Sequence, residues 1–148
     1  MTWKLVDRTA GEPTTAFDWR FVVGDRVKVR LVNERESDHP MHHPFHIHGA
    51  GRFLILSRDG VPEPNLVWTD TVLIPTGQTV DILLDVTNPG LWMAHCHIAE
   101  HAQSGMMFSF SVTDVAPAHA TAVEARGHTG TRRRRRITVP PIAPTRST

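Results

Sequence analysis

Six of the ten histidines in this 148-residue chain fall in two short runs. The first is His43-Pro44-Phe45-His46-Ile47-His48-Gly49. The second is His95-Cys96-His97-Ile98-Ala99-Glu100-His101, with Met106 five residues further on. Imidazole and thiolate suit copper, and a trigonal His–His–Cys set with a weak axial methionine is the arrangement of an electron-transfer copper centre. His43, Cys96, His101 and Met106 supply that set. Structural zinc usually takes paired cysteines or a closed tetrahedral set of strong ligands, which fits poorly with a single cysteine. A buried structural cysteine among scattered histidines is the plainer reading, but it does not account for the clustering.

Extended backbone turns alternate side chains to opposite faces. If Cys96 lies on a strand, its neighbours His95 and His97 point away from it. His46 and His48 share a face by the same rule, with Ile47 on the other. Two His-x-His pairs thus offer four imidazoles for a second centre, and Cys96 is covalently continuous with two of them. Such wiring suits one-electron uptake at the cysteine site and delivery through its flanking histidines to a centre that reduces dioxygen.

The elements that must carry these residues read as strands. Apolar or alternating runs at 19–23, 26–32, 52–56, 66–74, 79–86, 91–95 and 106–112 are broken by Gly24-Asp25, Asp59-Gly60, Pro75-Thr76-Gly77 and Asn88-Pro89-Gly90. The first two runs form a hairpin or a tight corner. About seven strands in this length predict an all-β Greek-key sandwich or barrel, and no long amphipathic helix is visible. Met93 and Met107 read as strand core. Met41 lies in no methionine-rich stretch, the isolated His39, His42, His119 and His128 take no role, and neither Asp70 nor Glu100 can be placed beside the ligands.

Composition bounds the remainder. A chain of this size buries one core, and no apolar run approaches the length of a membrane-spanning helix. The first residues, Met1 to Arg8, do not form a secretory signal. Residues 1–114 hold nine Lys/Arg against fourteen Asp/Glu, whereas 115–148 hold seven Arg against one Glu. The latter stretch is rich in Ala, Pro, Thr and Arg and reads as a disordered basic tail. Its Arg132–Arg136 run lacks interleaved aromatic residues, so a nucleic-acid role is not the reading it favours. The expected organisation is an N-terminal or interdomain segment at 1–15, one β domain at 16–114 and a tail at 115–148.

The two histidine runs resemble the copper motifs of the multicopper oxidases, a family that includes laccases, ascorbate oxidases, ferroxidases and cuprous oxidases. The segment from Arg52 to Trp92, with Asp59-Gly60-Val61-Pro62 and Asn65 to Thr71, is similar to bacterial members, so the resemblance covers roughly residues 17–113. It implies a cupredoxin-like domain in which His43, Cys96 and His101 bind type 1 copper with Met106 axial. It further implies that His46 binds type 2 copper and that His48, His95 and His97 bind the type 3 pair. An axial Met, rather than a non-coordinating Leu or Phe, implies a lower type 1 potential.

The resemblance also implies partners. A full trinuclear cluster in this family takes four more histidines, from two further His-x-His motifs in an N-terminal domain, and the chain contains no further His-x-His. The expected partners are therefore a reducing small molecule or metal ion, dioxygen, and an N-terminal cupredoxin domain of the same or another chain. The favoured explanation is a gene fragment whose other domains lie upstream, ahead of a subunit that docks on a separate domain or an oligomer that pairs half-sites. A periplasmic or extracellular location follows from the resemblance. The leading alternative is a stand-alone electron-transfer cupredoxin with type 1 copper only, against which the two His-x-His pairs argue. Copper nitrite reductases lack a histidine directly after the type 1 cysteine, where this chain has His97.

Overall fold

A computed structural model describes residues 2–7, 12–13, 17–36, 40–114, 136–138 and 142–147. In chain order the strands are β1 (Thr2–Asp7), β2 (Glu12–Pro13), β3 (Arg20–Val22), β4 (Arg26–Val32), β5 (His43–His48), β6 (Gly51–Arg58) and β7 (Val61–Pro62). They continue with β8 (Trp68–Thr69), β9 (Thr71–Ile74), β10 (Thr79–Val86), β11 (Gly90–Cys96), β12 (Met107–Thr113), β13 (Arg136–Thr138) and β14 (Ile142–Ser147). One short helix, α1 (Ala99–Gln103), interrupts the series between β11 and β12. Among the described residues no helix is long and apolar enough to cross a membrane.

Two sheets divide these strands. The larger runs β2-β1-β14-β4-β10-β6-β7, with β13 also on β4 and β8 also on β6; the smaller runs β3-β12-β11-β5-β9. Alternation along β4 and β5 explains the packing. Val27, Val29 and Leu31 of β4 and His43, Phe45 and Ile47 of β5 turn inward, and the residues between them turn out. Both inner faces meet in one core that also holds Phe53, Ile82, Leu84, Ala94, Phe108 and Phe110. Fully burying side chains of this size contributes roughly 1.5–3 kcal/mol each. Within the larger sheet, Asp81 of β10 ties two neighbouring strands by accepting a bidentate pair of hydrogen bonds from Arg30 of β4 at 2.7 and 2.8 Å.

The all-β sandwich expected from the spacing of apolar runs is the fold observed. The 19–23 and 26–32 runs make a corner rather than a hairpin: β3 pairs with β12 in one sheet and β4 with β10 in the other. A change of sheet across Gly24, at φ +95°, is a turn only glycine makes without strain. Two strands lie where a disordered tail was expected, for β13 and β14 both pair parallel with β4. The physical reason is an open edge on β4 whose N–H and C=O groups need partners, together with β-branched Ile137, Thr138, Ile142 and Thr145, which favour extended backbone. The rest of 115–148, including Arg132–Arg135, lies outside the described residues. The 1–15 segment likewise contributes β1 and β2 to the larger sheet.

Gly49 ends β5 immediately after the two outward histidines. Its φ is +83°, and a Cβ there would sit 2.1 Å from the Trp92 ring. The ring cannot yield freely, because Trp92 Nε1–H donates to the Asn88 carbonyl at 2.9 Å while Asn88 Nδ2–H donates to the Gly49 carbonyl at 2.7 Å. Gly49→Ala therefore lowers stability by about 3 kcal/mol through strained backbone and a ring clash, measured by denaturant unfolding. A loss below about 0.5 kcal/mol, the range of an ordinary surface change, would show that this clamp is slack.

Candidate metal centre

Strand β5 delivers His43 inward and β11 delivers Cys96 inward, and the two strands lie antiparallel with His95 opposite His46 and Cys96 opposite Phe45. The chain then turns through α1, whose fold-back is fixed by backbone bonds from Cys96 N–H to the Met106 carbonyl and from Met106 N–H to the His101 carbonyl, both 2.9 Å. That short loop returns His101 and Met106 to the same spot as Cys96. Cys96 Sγ lies 3.8 Å from His43 Nδ1 and 3.6 Å from His101 Nδ1, and the two Nδ1 atoms are 3.3 Å apart.

Those separations test whether a metal fits. With bonds of about 2.0 Å to nitrogen and 2.3 Å to sulfur, a trigonal set has edges of roughly 3.5–3.8 Å. The three donor atoms already stand close to those edges, all buried. Met106 lines the same closed cavity of about 10 Å³, together with Leu5, Leu31, His43, Phe45, Ile74 and Cys96. Two imidazole nitrogens and a sulfur facing one point suit a soft, thiolate-binding cation, and copper meets that description.

Electrostatics favour the same occupant. Burial, and then the neighbouring His101, push the His43 pKa down to about 4. Burial also lowers that of His101. Both are therefore neutral ligands near pH 7. Burial raises the Cys96 thiol pKa, so a bound cation must displace its proton.

On the outer face of the smaller sheet, His46, His48 and His95 each bring a ring nitrogen within 4.8 Å of the others. The His97 ring centroid stands 5.3 Å from that of His46. Tautomers are set by carbonyl oxygens, which only accept. His46 Nδ1–H donates to the Asp70 carbonyl at 3.0 Å and lies 2.9 Å from Thr71 Oγ1, and His95 Nδ1–H donates to the Cys96 carbonyl at 2.9 Å. Each ring thus keeps its Nε2 lone pair for a metal. Burial lowers the His46 pKa, partly opposed by Asp70. A cavity of about 570 Å³ opens beside these rings, lined in part by His46, His48, Arg52, Trp68, Asp70 and Asp85.

All eight residues singled out from the sequence therefore fall at two adjacent places: His43, Cys96, His101 and Met106 inside the sandwich, and His46, His48, His95 and His97 outside it. Asp70, unplaced by sequence, lies against His46. Met93 and Met107, read as core, are exposed on the outer face at 37% and 44%, because both share the outward parity of His95 along the pleat. His42 accepts a hydrogen bond from the Thr76 N–H at 3.1 Å and so holds a turn. His39, His119 and His128 lie outside the described residues. Sequence reading missed Trp3, which stacks on His101 with ring centroids 4.4 Å apart. The alternation Trp3-Lys4-Leu5 was the available signal.

A two-sheet sandwich with a buried His–Cys–His–Met set between its sheets is a cupredoxin-like domain. The chain matches the multicopper oxidase family model over residues 2–116, and it belongs to that family. It is 39% identical over 86 residues to the multicopper oxidase mco of Staphylococcus epidermidis, covering 57% of this chain and 19% of that protein. Against Laccase-1 of Arabidopsis thaliana it is 34% identical over 82 residues, covering 49% and 14%. Among solved structures, a multi-copper oxidase from Pediococcus acidilactici superposes with a TM-score of 0.60 at 33% identity, covering 76% of this chain and 24% of the other. The Blue Copper Oxidase from Nitrosomonas europaea gives a TM-score of 0.55 at 32% identity, covering 64% and 30%. The chain thus spans less than a third of the length of these relatives.

Cys96→Ser removes the thiolate, so the copper-loaded variant loses the intense visible absorption of a copper–thiolate bond while its far-ultraviolet circular dichroism stays as in the parent. An equally blue variant would exclude Cys96 as a ligand.

Proposed function

We propose that this chain is a copper-holding oxidoreductase module of a multicopper oxidase, one that takes single electrons from a reducing substrate and passes them toward an oxygen-reducing cluster of which it carries half. In this reading His43, Cys96 and His101, with Met106 axial, hold type 1 copper. His46 holds type 2 copper, and His48, His95 and His97 hold the type 3 pair. Copper, when bound, supplies reversible one-electron exchange at the first site and four-electron reduction of dioxygen at a completed cluster.

One observation carries the reading: on β11, Cys96 turns into the sandwich while His95 turns out of it, and His95 Nδ1–H bonds back to the Cys96 carbonyl. The two sites are therefore joined by a covalent path and by one hydrogen bond. Buried His43 and His101 keep water from the sulfur, and Asp70 and Thr71 fix the ring of His46. A carrier with type 1 copper alone would leave the His46, His48 and His95 group without a purpose.

The partner in this proposal is a domain, of the same or another chain, that brings four further imidazoles to the outer face. Leu73, Leu91, Met93 and Met107 are exposed on that face, an apolar rim suited to docking. The reducing substrate is a small molecule or metal ion, and the location is periplasmic or extracellular.

Copper titration of residues 1–148, followed by visible absorption and electron paramagnetic resonance, tests the proposal. One blue copper per chain, with oxygen uptake only after a domain bearing the missing His-x-His motifs is added, is the expected result. Absence of a blue copper would overturn the type 1 assignment, and oxygen uptake by the isolated chain would overturn the need for a partner.

A further inference from the structure

Strand β1 has two side chains that face the buried ligands, and both close on them. Trp3, 4% exposed, lies over the ring of His101, itself 3% exposed, at a centroid distance of 4.4 Å and an interplanar angle of 30°. The same indole meets His43 edge-on at 5.3 Å. Leu5, two residues further on, lines the closed cavity between His43, Cys96 and Met106. Helix α1, which carries His101, packs against β1.

This arrangement has a chemical meaning. His101 turns Nδ1 toward Cys96 and His43, and the Trp3 indole stacked on its ring helps leave it only 3% exposed. A reductant or an added anion that must touch His101 meets Trp3 and the backbone of β1, which is in register with β14 over six residue pairs and with β2 over two.

We propose that Trp3 is a specificity-determining cover on the buried copper site, which bars small reductants and exogenous anions from contact with His101 and restricts donors to those that transfer an electron across the indole. The inference rests on the copper reading of the preceding subsection. In the step concerned the donor loses one electron and cupric ion becomes cuprous. No bond is made or broken in the protein, and the proton that a donor such as ascorbate sheds with its electron goes to solvent.

The test uses the full chain loaded with one copper, without oxygen, as wild type, Trp3→Phe and Trp3→Ala. Bleaching of the blue band by ascorbate is followed by stopped flow, and the position of the band is recorded with and without excess azide. Trp3→Ala bleaches about tenfold faster than wild type, equivalent to ~1.4 kcal/mol of barrier, and its band shifts with azide. Trp3→Phe, which keeps an aromatic cover, stays near the wild-type rate, and the wild-type band does not respond to azide. A Trp3→Ala rate equal to or below that of wild type overturns the cover, as does an azide shift in the wild type. The wild-type azide measurement decides the matter if Trp3→Ala does not fold. A wild type with no blue band removes the copper reading and the cover with it, whereas a blue protein open to azide removes the cover alone.

Discussion

The two-residue period of a β-strand is the constraint on which both candidate sites depend. On β11, Ala94 and Cys96 face the core while Met93 and His95 face outward. On β5, His43 faces inward while His46 and His48 face out. Because the strands are paired in register, His95 lies opposite His46 and Cys96 lies opposite Phe45. A slip of one residue in either strand would turn its inner ligand, His43 or Cys96, outward and its outer histidines inward. The core residues between the sheets hold that register: Phe45, Ile47 and Ala94 leave the pleat no second way to bury them.

Burial then divides the chemistry. The inner site is buried, which lowers the pKa of its imidazoles and raises that of its thiol, and its donors are held by the fold at near-coordinating separations. The outer site is half open, and its tautomers are fixed from behind by the carbonyls of Asp70 and Cys96. An enclosed set of ligands is prepared by one domain alone. An open one is the kind of surface that a second domain completes, in keeping with the fraction of its relatives that this chain spans.

Much of this was legible in the residues. Period-two alternation placed His95 opposite in sense to Cys96, and the turn residues between short apolar runs marked the sandwich. Other parts were not legible, for physical reasons. Met93 and Met107 are apolar, so composition assigns them to the core, yet parity along β11 and β12 puts them outside. Asp70 acts through its backbone carbonyl, which no side-chain pattern reveals. Strands β13 and β14 lie in an arginine-, proline- and threonine-rich stretch whose composition argues against order, and their partners, β4 for the first and chiefly β1 for the second, are far away in sequence. Trp3 reaches His101 through that same addition to the sheet, a contact between residues far apart in sequence.

The ladder between β1 and β14 joins Thr2 to Ser147 and Asp7 to Ile142, which closes a loop spanning almost the whole sequence. Contacts of such high order are slow to form compared with the neighbouring pairs of β11 with β12 or β6 with β7. Because, among the described residues, β1 reaches the rest of the larger sheet only through β14, the side of the inner site that Trp3 and Leu5 close is held by chain from the two far ends of the sequence at once.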